Sequence, residues 1–190
     1  MTDAAGSDLR ILLDSRGIES TVERVAADVS ADHNDGVVLV GVLRGSVPFL
    51  ADLARAMSIR VRIDFLSITP YSPGTGRVRL LKDLDIDVTG RDVVMVEDIV
   101  DTGLTSEFLS AQLNRRNPRR LSVCTFVDRP VRRAAPVRPD YVGIGIPEEF
   151  VIGYGLDYEG RYRNLPMLAA ANPAVLKENP DAHIAALYRF

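Results

Sequence analysis

The chain has 190 residues, of which 46% are hydrophobic, 26% charged and 6% aromatic, with a formal net charge of −3. These proportions belong to a globular chain large enough to bury a core unaided, and the single cysteine, Cys124, excludes both an internal disulfide and a zinc ribbon of paired cysteines. The first ten residues carry no apolar core, no apolar run approaches the ~18 residues that span a bilayer, and mild acidity argues against general nucleic-acid binding; a single domain over residues 1–190 in a reducing cytoplasm is expected.

In chain order, Ile18, Val22, Val25, Ala26 and Val29 recur at near-helical spacing, which predicts an amphipathic helix within residues 11–29. Val37-Val38-Leu39-Val40-Gly41-Val42 is a continuous β-branched run that reads as a strand buried on both faces. It ends in Leu43-Arg44-Gly45-Ser46, and residues 48–57 read as a helix with Pro48 in the first turn. Residues 61–66 alternate as a strand, whereas residues 67–77 concentrate Ser, Thr, Pro and Gly and predict a long loop, a candidate lid. A buried strand at residues 93–96 runs through Glu97-Asp98-Ile99-Val100 into Asp101-Thr102-Gly103-Leu104-Thr105 and a helix over about 105–116. Residues 121–127, 141–146 and 151–154 supply further strands, and eight arginines between Arg115 and Arg138 form a local basic patch. Strands separated by helices at this spacing predict an α/β fold with a mostly parallel, doubly wound sheet.

The segment from Val93 to Thr105 carries the chemistry. A strand end delivers Glu97 and Asp98 to the carboxyl edge of the sheet, where open parallel sheets bind ligands. A turn through Gly103 at a helix start lets backbone amides converge, and the hydroxyls of Thr102 and Thr105 add donors, so the turn suits a monophosphate. The two carboxylates are suited instead to vicinal sugar hydroxyls, directly or through a hydrated divalent metal. Phosphate on one side and a diol on the other describe a ribose 5-phosphate. Asp101 opens the turn, where an aspartate also commonly caps the following helix.

This segment resembles the 5-phosphoribosyl-1-pyrophosphate motif of type I phosphoribosyltransferases. Further blocks in the same order resemble the hypoxanthine-guanine branch of that family: Gly41-Val42-Leu43-Arg44-Gly45-Ser46, then Val78-Arg79-Leu80-Leu81-Lys82-Asp83-Leu84-Asp85, then Asp140 to Tyr158, and Arg161-Tyr162-Arg163-Asn164-Leu165-Pro166. The resemblance spans about residues 37–166, and the segments before and after it add little. It implies the type I fold with a small hood formed by terminal segments, a lid loop at about 67–82 and a purine-binding hood segment at about 128–166. It also implies transfer of phosphoribose from phosphoribosyl pyrophosphate to hypoxanthine or guanine in purine salvage, with Mg²⁺, in a cytoplasmic homodimer or homotetramer.

By the same resemblance, Glu97, Asp98, Asp101, Thr102, Gly103, Leu104 and Thr105 bind the phosphoribosyl group. Leu43, Arg44 and Gly45, beside a non-proline cis peptide, bind pyrophosphate with Arg163. Phe150 stacks on the base, the Val151 backbone reads its edge, and Asp157 sits at the base site and binds Mg²⁺ with Glu97 and Asp98. Asp101 is the implied catalytic acid/base facing N7. Two departures stand out: the family's Asp-Lys-Pro, whose lysine donates to the purine 6-oxo group, is here Asp128-Arg129-Pro130, and the lid's Ser-Tyr pair with its polar stretch is here the shorter run Ser67-Ile68-Thr69-Pro70-Tyr71-Ser72-Pro73-Gly74. Arginine presents a planar fork where lysine presents a point charge, which leaves room for another base, xanthine or a pyrimidine. A regulatory nucleic-acid-binding homologue is the remaining alternative, motivated by Arg115, Arg116, Arg119, Arg120, Arg132 and Arg133; no aromatic residues interleave with these arginines, and nucleic acid is not the expected partner.

Overall fold

The computed structural model describes residues 8–33, 35–69 and 79–188. A strand β1 (Leu9–Leu13) precedes helix α1 (Ser15–Asp32), followed by β2 (Val37–Val42), α2 (Val47–Ala56), β3 (Val61–Ile68) and β4 (Leu80–Lys82). Next come β5 (Asp92–Val100), α3 (Leu104–Asn114), β6 (Arg120–Asp128), β7 (Tyr141–Gly145), β8 (Val151–Ile152), β9 (Leu168–Ala171), α4 (Pro173–Glu178) and α5 (Ile184–Leu187).

Six strands form the main sheet in the order β4-β3-β2-β5-β6-β7. All neighbours pair in parallel except β4, which lies antiparallel on the edge of β3. Alternate residues of β2 and β5 serve opposite faces, which is why both read as unbroken apolar runs. Val37, Leu39, Val94 and Val96 pack with Ile18, Val22 and Val25 of α1 and Phe49, Leu50 and Leu53 of α2. Val38, Val40, Val93 and Met95 pack with Leu109 and Leu113 of α3 on the other face. From β2 the chain moves to β3 in one direction, and from β5 to β6 and β7 in the other. The boundary between β2 and β5 is therefore a topological switch point, where loops diverge and leave a crevice at the carboxyl ends of the strands.

A second, antiparallel sheet has the order β1-β9-β8 and carries its own apolar cluster of Ile152, Tyr162, Leu165, Ala169 and Leu176. Several expectations change here. Residues 9–13 are a strand rather than the start of a helix: Asp14 caps α1 by accepting the Gly17 amide at 2.8 Å, which separates the two elements. The segment after Met167 contributes the central strand of the small sheet. Residues 128–166 are not one structural unit, because β7 belongs to the main sheet and β8 to the small one. Ser67 and Ile68 end β3, and Leu80–Lys82 is a strand, so neither end of the expected 67–82 loop is irregular. Thr69 and Arg79 exchange hydrogen bonds at 2.9 and 3.0 Å. Residues 70–78 of the expected lid, Tyr71 included, lie outside the described residues.

Candidate active site

At the switch point a cavity of about 350 Å³ is lined by the turn after β2, the end of β5, the turn that follows it and the start of α3, together with Asp157 and Arg163. It brings together Leu43, Arg44, Gly45, Glu97, Asp98, Asp101, Thr102, Gly103, Thr105, Asp157 and Arg163 from the sequence-predicted set. Leu104, the first residue of α3, does not line it and is 37% exposed. Arg129, Phe150 and Val151 also lie outside the lining, but Arg129 reaches the cavity through Asp101.

The turn after β2 has a cis peptide bond between Leu43 and Arg44, as the resemblance implies. Gly45 packs so closely on the end of β5 that a Cβ there would lie 1.5 Å from Asp98 Oδ2. Only glycine lets the turn and that carboxylate share the space. After β5 the chain turns through Gly103 in the left-handed region, with φ 79°, and α3 begins there without a side-chain cap. The aspartate-cap reading is thereby corrected: the Asp101 carboxylate accepts from the Arg129 guanidinium instead. The uncapped start of α3 leaves its positive end facing the cavity, the arrangement that binds phosphate.

Glu97 is buried, and its Oε1 accepts the Ser106 hydroxyl at 2.5 Å. Burial pushes its carboxyl up to about 7; the Ser106 hydrogen bond opposes the shift, Asp98 adds to it and Arg133 opposes it. Asp98 is half-buried as a residue, but its carboxyl is enclosed and pushed up to about 6 by desolvation, against hydrogen bonds from the Ile99 and its own amides and the charge of Arg163, and with added repulsion from Asp157. Two adjacent carboxylates that resist ionisation are suited to hydroxyl donors or a cation, which would compensate the charge they hold poorly alone. Arg163 pairs with Asp157 at 2.7 Å and donates to the Gly155 carbonyl at 2.6 Å, which fixes the cation beside this acidic edge.

Among the described residues, no three His, Cys, Asp or Glu side chains converge to hold a metal ion. The oxygen donors nonetheless fit a hard divalent cation that keeps waters and takes further ligands from a phosphorylated substrate, as Mg²⁺ does.

A model of the phosphoribosyl transferase domain matches residues 9–159. The chain belongs to this family. The hypoxanthine-guanine phosphoribosyltransferase of Bacillus subtilis is 38% identical over 170 residues, covering 87% of this chain and 94% of that protein. The protein of the same name from Mycobacterium tuberculosis is 41% identical over 175 residues, covering 87% of each chain. A crystal structure of a hypoxanthine-guanine phosphoribosyltransferase from Bacillus anthracis superposes with a TM-score of 0.83 at 40% identity, covering 86% of this chain and 98% of that one. The mostly parallel α/β architecture is thus that of a type I phosphoribosyltransferase, and the chain is an enzyme of that kind.

Three features of this phosphoribosyltransferase escaped the sequence reading. Ser106 holds Glu97, although only its place in the first turn of α3 hinted at it. Arg133 packs under the Gly103 turn: a Cβ on Gly103 would lie 2.9 Å from its Cδ, and its Nε and Nη1 are buried without a hydrogen-bond partner among the described residues. The pairing of Arg129 with Asp101 joins residues 28 apart in sequence. The basic patch is also less cationic than its composition: Arg116 pairs with Asp83 at 2.5 Å, Arg119 with Asp92 at 2.7 Å, Arg120 with Asp32 at 3.2 Å, and Arg133 with Asp128. No helix among the described residues is long and apolar enough to cross a membrane.

Proposed function

We propose that the enzyme transfers the 5-phosphoribosyl group from phosphoribosyl pyrophosphate to a 6-oxopurine, hypoxanthine or guanine, giving IMP or GMP and pyrophosphate. The observation that carries this is the convergence, in one switch-point cavity, of the Leu43–Gly45 turn, the adjacent Glu97 and Asp98 carboxylates and the uncapped start of α3. In this reading the amides and hydroxyls of residues 102–105 hold the 5-phosphate, with Arg133 beneath them. Glu97 and Asp98 accept from the ribose hydroxyls. Leu43 to Gly45, Arg44 and Arg163 grip pyrophosphate, and spread positive charge over it as it leaves.

Phe150 stacks on the base while the Val151 backbone reads its edge and Arg129 donates to the 6-oxo group. Asp101 takes a proton from N7 as N9 attacks C1, so that positive charge does not accumulate on the ring. Mg²⁺, held by Asp157 with Glu97 and Asp98, would neutralise the pyrophosphate when bound. A cytoplasmic homodimer or homotetramer belongs to the same proposal. Paired arginines weaken the nucleic-acid reading, since counterion release needs cations that are free to meet phosphates.

The test is turnover with hypoxanthine, guanine, xanthine, adenine and uracil, each with phosphoribosyl pyrophosphate and Mg²⁺, with the nucleotide product identified by mass. IMP and GMP are expected, and chelation or Asp157→Asn should lower their formation by a factor on the order of 10² or more, the scale of lost charge stabilisation. Turnover restricted to xanthine or uracil would replace the assignment of the base, and no turnover with any base would remove it.

A further inference from the structure

Arg129 follows β6 and is only 7% exposed, so its guanidinium is spent inside the protein. Nε donates to Asp101 Oδ1 at 3.0 Å and Nη2 to Asp101 Oδ2 at 2.7 Å, which is a two-point grip on one carboxylate. Nη1 donates to the Glu149 carbonyl at 2.5 Å, one residue before Phe150. The Arg129 amide itself donates to the Val100 carbonyl at 3.0 Å, so backbone and side chain both attach this residue to the loop that carries Asp101. Arg132 Nη1 stands 3.6 Å from the same Asp101 oxygen. Three of the five guanidinium N–H groups are committed, and one on each Nη remains for a base.

We infer that Arg129 is a positioning residue that fixes the plane of the Asp101 carboxylate and ties it to the Glu149–Val151 segment, so that the proton acceptor and the base-reading segment keep one relative geometry. The inference rests on the proposed function, in which Asp101 faces N7. A monodentate ammonium cannot impose this orientation, because it attracts a carboxylate without setting the plane of its two oxygens. Lysine at this position would therefore keep the charge and lose the alignment. The arginine that departs from the family's Asp-Lys-Pro would thus serve Asp101 as well as the base.

A double-mutant cycle tests this, using Arg129→Lys, Asp101→Asn and the double variant, with kcat and both KM values measured on the full chain. Arg129→Lys is expected to lower kcat about tenfold or more, the scale of a misaligned reacting group, while KM for phosphoribosyl pyrophosphate stays within about twofold. In the Asp101→Asn background the same substitution should change kcat by less than about twofold, because no carboxylate is left to align. Arg129→Gln, which can meet only one Asp101 oxygen, gives a second single variant expected to follow Arg129→Lys, and thermal melting confirms that each variant is folded.

Equal losses in both backgrounds, an unchanged kcat in Arg129→Lys, or a loss confined to KM for the base would overturn the inference and leave Arg129 as a contact to the base alone. Failure of the wild-type enzyme to use any base would instead remove the functional reading beneath it.

Discussion

Glu97 shows at the scale of one residue how a site can work against the stability of its own fold. Because burial lifts its carboxyl from 4.5 to about 7, the folded chain resists the ionised form that the unfolded chain adopts readily. The stability associated with the neutral form is present below about pH 4.5 and is lost as pH rises through about 7. Glu97→Gln removes the ionisation and can keep an acceptor for Ser106. In the metal-free, substrate-free protein it should be more stable than wild type by about 1–3 kcal/mol at pH 8, with the gap closing towards pH 4. Thermal unfolding across that range checks it, and a difference that does not vary with pH would contradict the assigned cause. The glutamine should nonetheless weaken phosphoribosyl pyrophosphate binding if Glu97 accepts from the sugar hydroxyls as proposed. The residues of this site were legible largely because they are contiguous: Glu97 to Thr105, from the end of β5 to the start of α3, and Leu43 to Gly45, the turn after β2, each form one short segment. The Arg129–Asp101 pair was not, because no local pattern announces a contact across 28 positions.

At the scale of elements, Asp64 joins β3 to the segment that follows β4. Its side chain is buried and accepts the amides of Phe65 at 2.7 Å, Asp85 at 2.7 Å and Ile86 at 2.8 Å, with Lys82 Nζ at 3.4 Å. Burial alone would raise its carboxyl, but these donors outweigh it and hold the group below the usual carboxylate range. Its contribution is therefore present above about pH 4 and lost as pH falls through the lowered value. Asp64→Asn should cost about 1–3 kcal/mol at pH 7, the scale of disrupting buried hydrogen bonds to a charged group, measured by urea unfolding. A neutral result would mean that the loop holds its course without Asp64. Element legibility followed burial. β2 and residues 93–96 of β5 are covered on both faces and announce themselves as apolar runs, whereas β9 is Leu-Ala-Ala-Ala, with little intrinsic strand preference, and owes its conformation to pairing with β1 and β8. β1 escaped because Ile11, Leu12 and Leu13 run directly towards the apolar positions of α1, and only the Asp14 cap divides them.

For the whole molecule, the alternation of strands and helices was enough to predict a doubly wound sheet, and the strand order then dictates where a ligand sits. β2 and β5 head the two halves that diverge from the switch point, and each half supplies one wall of the cavity: Leu43 to Gly45 from one side, Glu97 to Thr105 from the other. The small antiparallel sheet was not predictable from periodicity, since it is assembled from segments at opposite ends of the described chain. The two walls touch at Gly45 and Asp98, with no space for a side chain at 45. That contact makes the central claim measurable by calorimetric titration of phosphoribosyl pyrophosphate, with Mg²⁺, into wild-type enzyme and Gly45→Ala. If one cavity built by both halves binds the donor, the methyl group must displace the Asp98 carboxylate, and Gly45→Ala should bind at least about tenfold more weakly, a loss of about 1.4 kcal/mol, while its melting temperature stays close to wild type. Unchanged affinity in the folded variant would contradict the account and place the donor elsewhere.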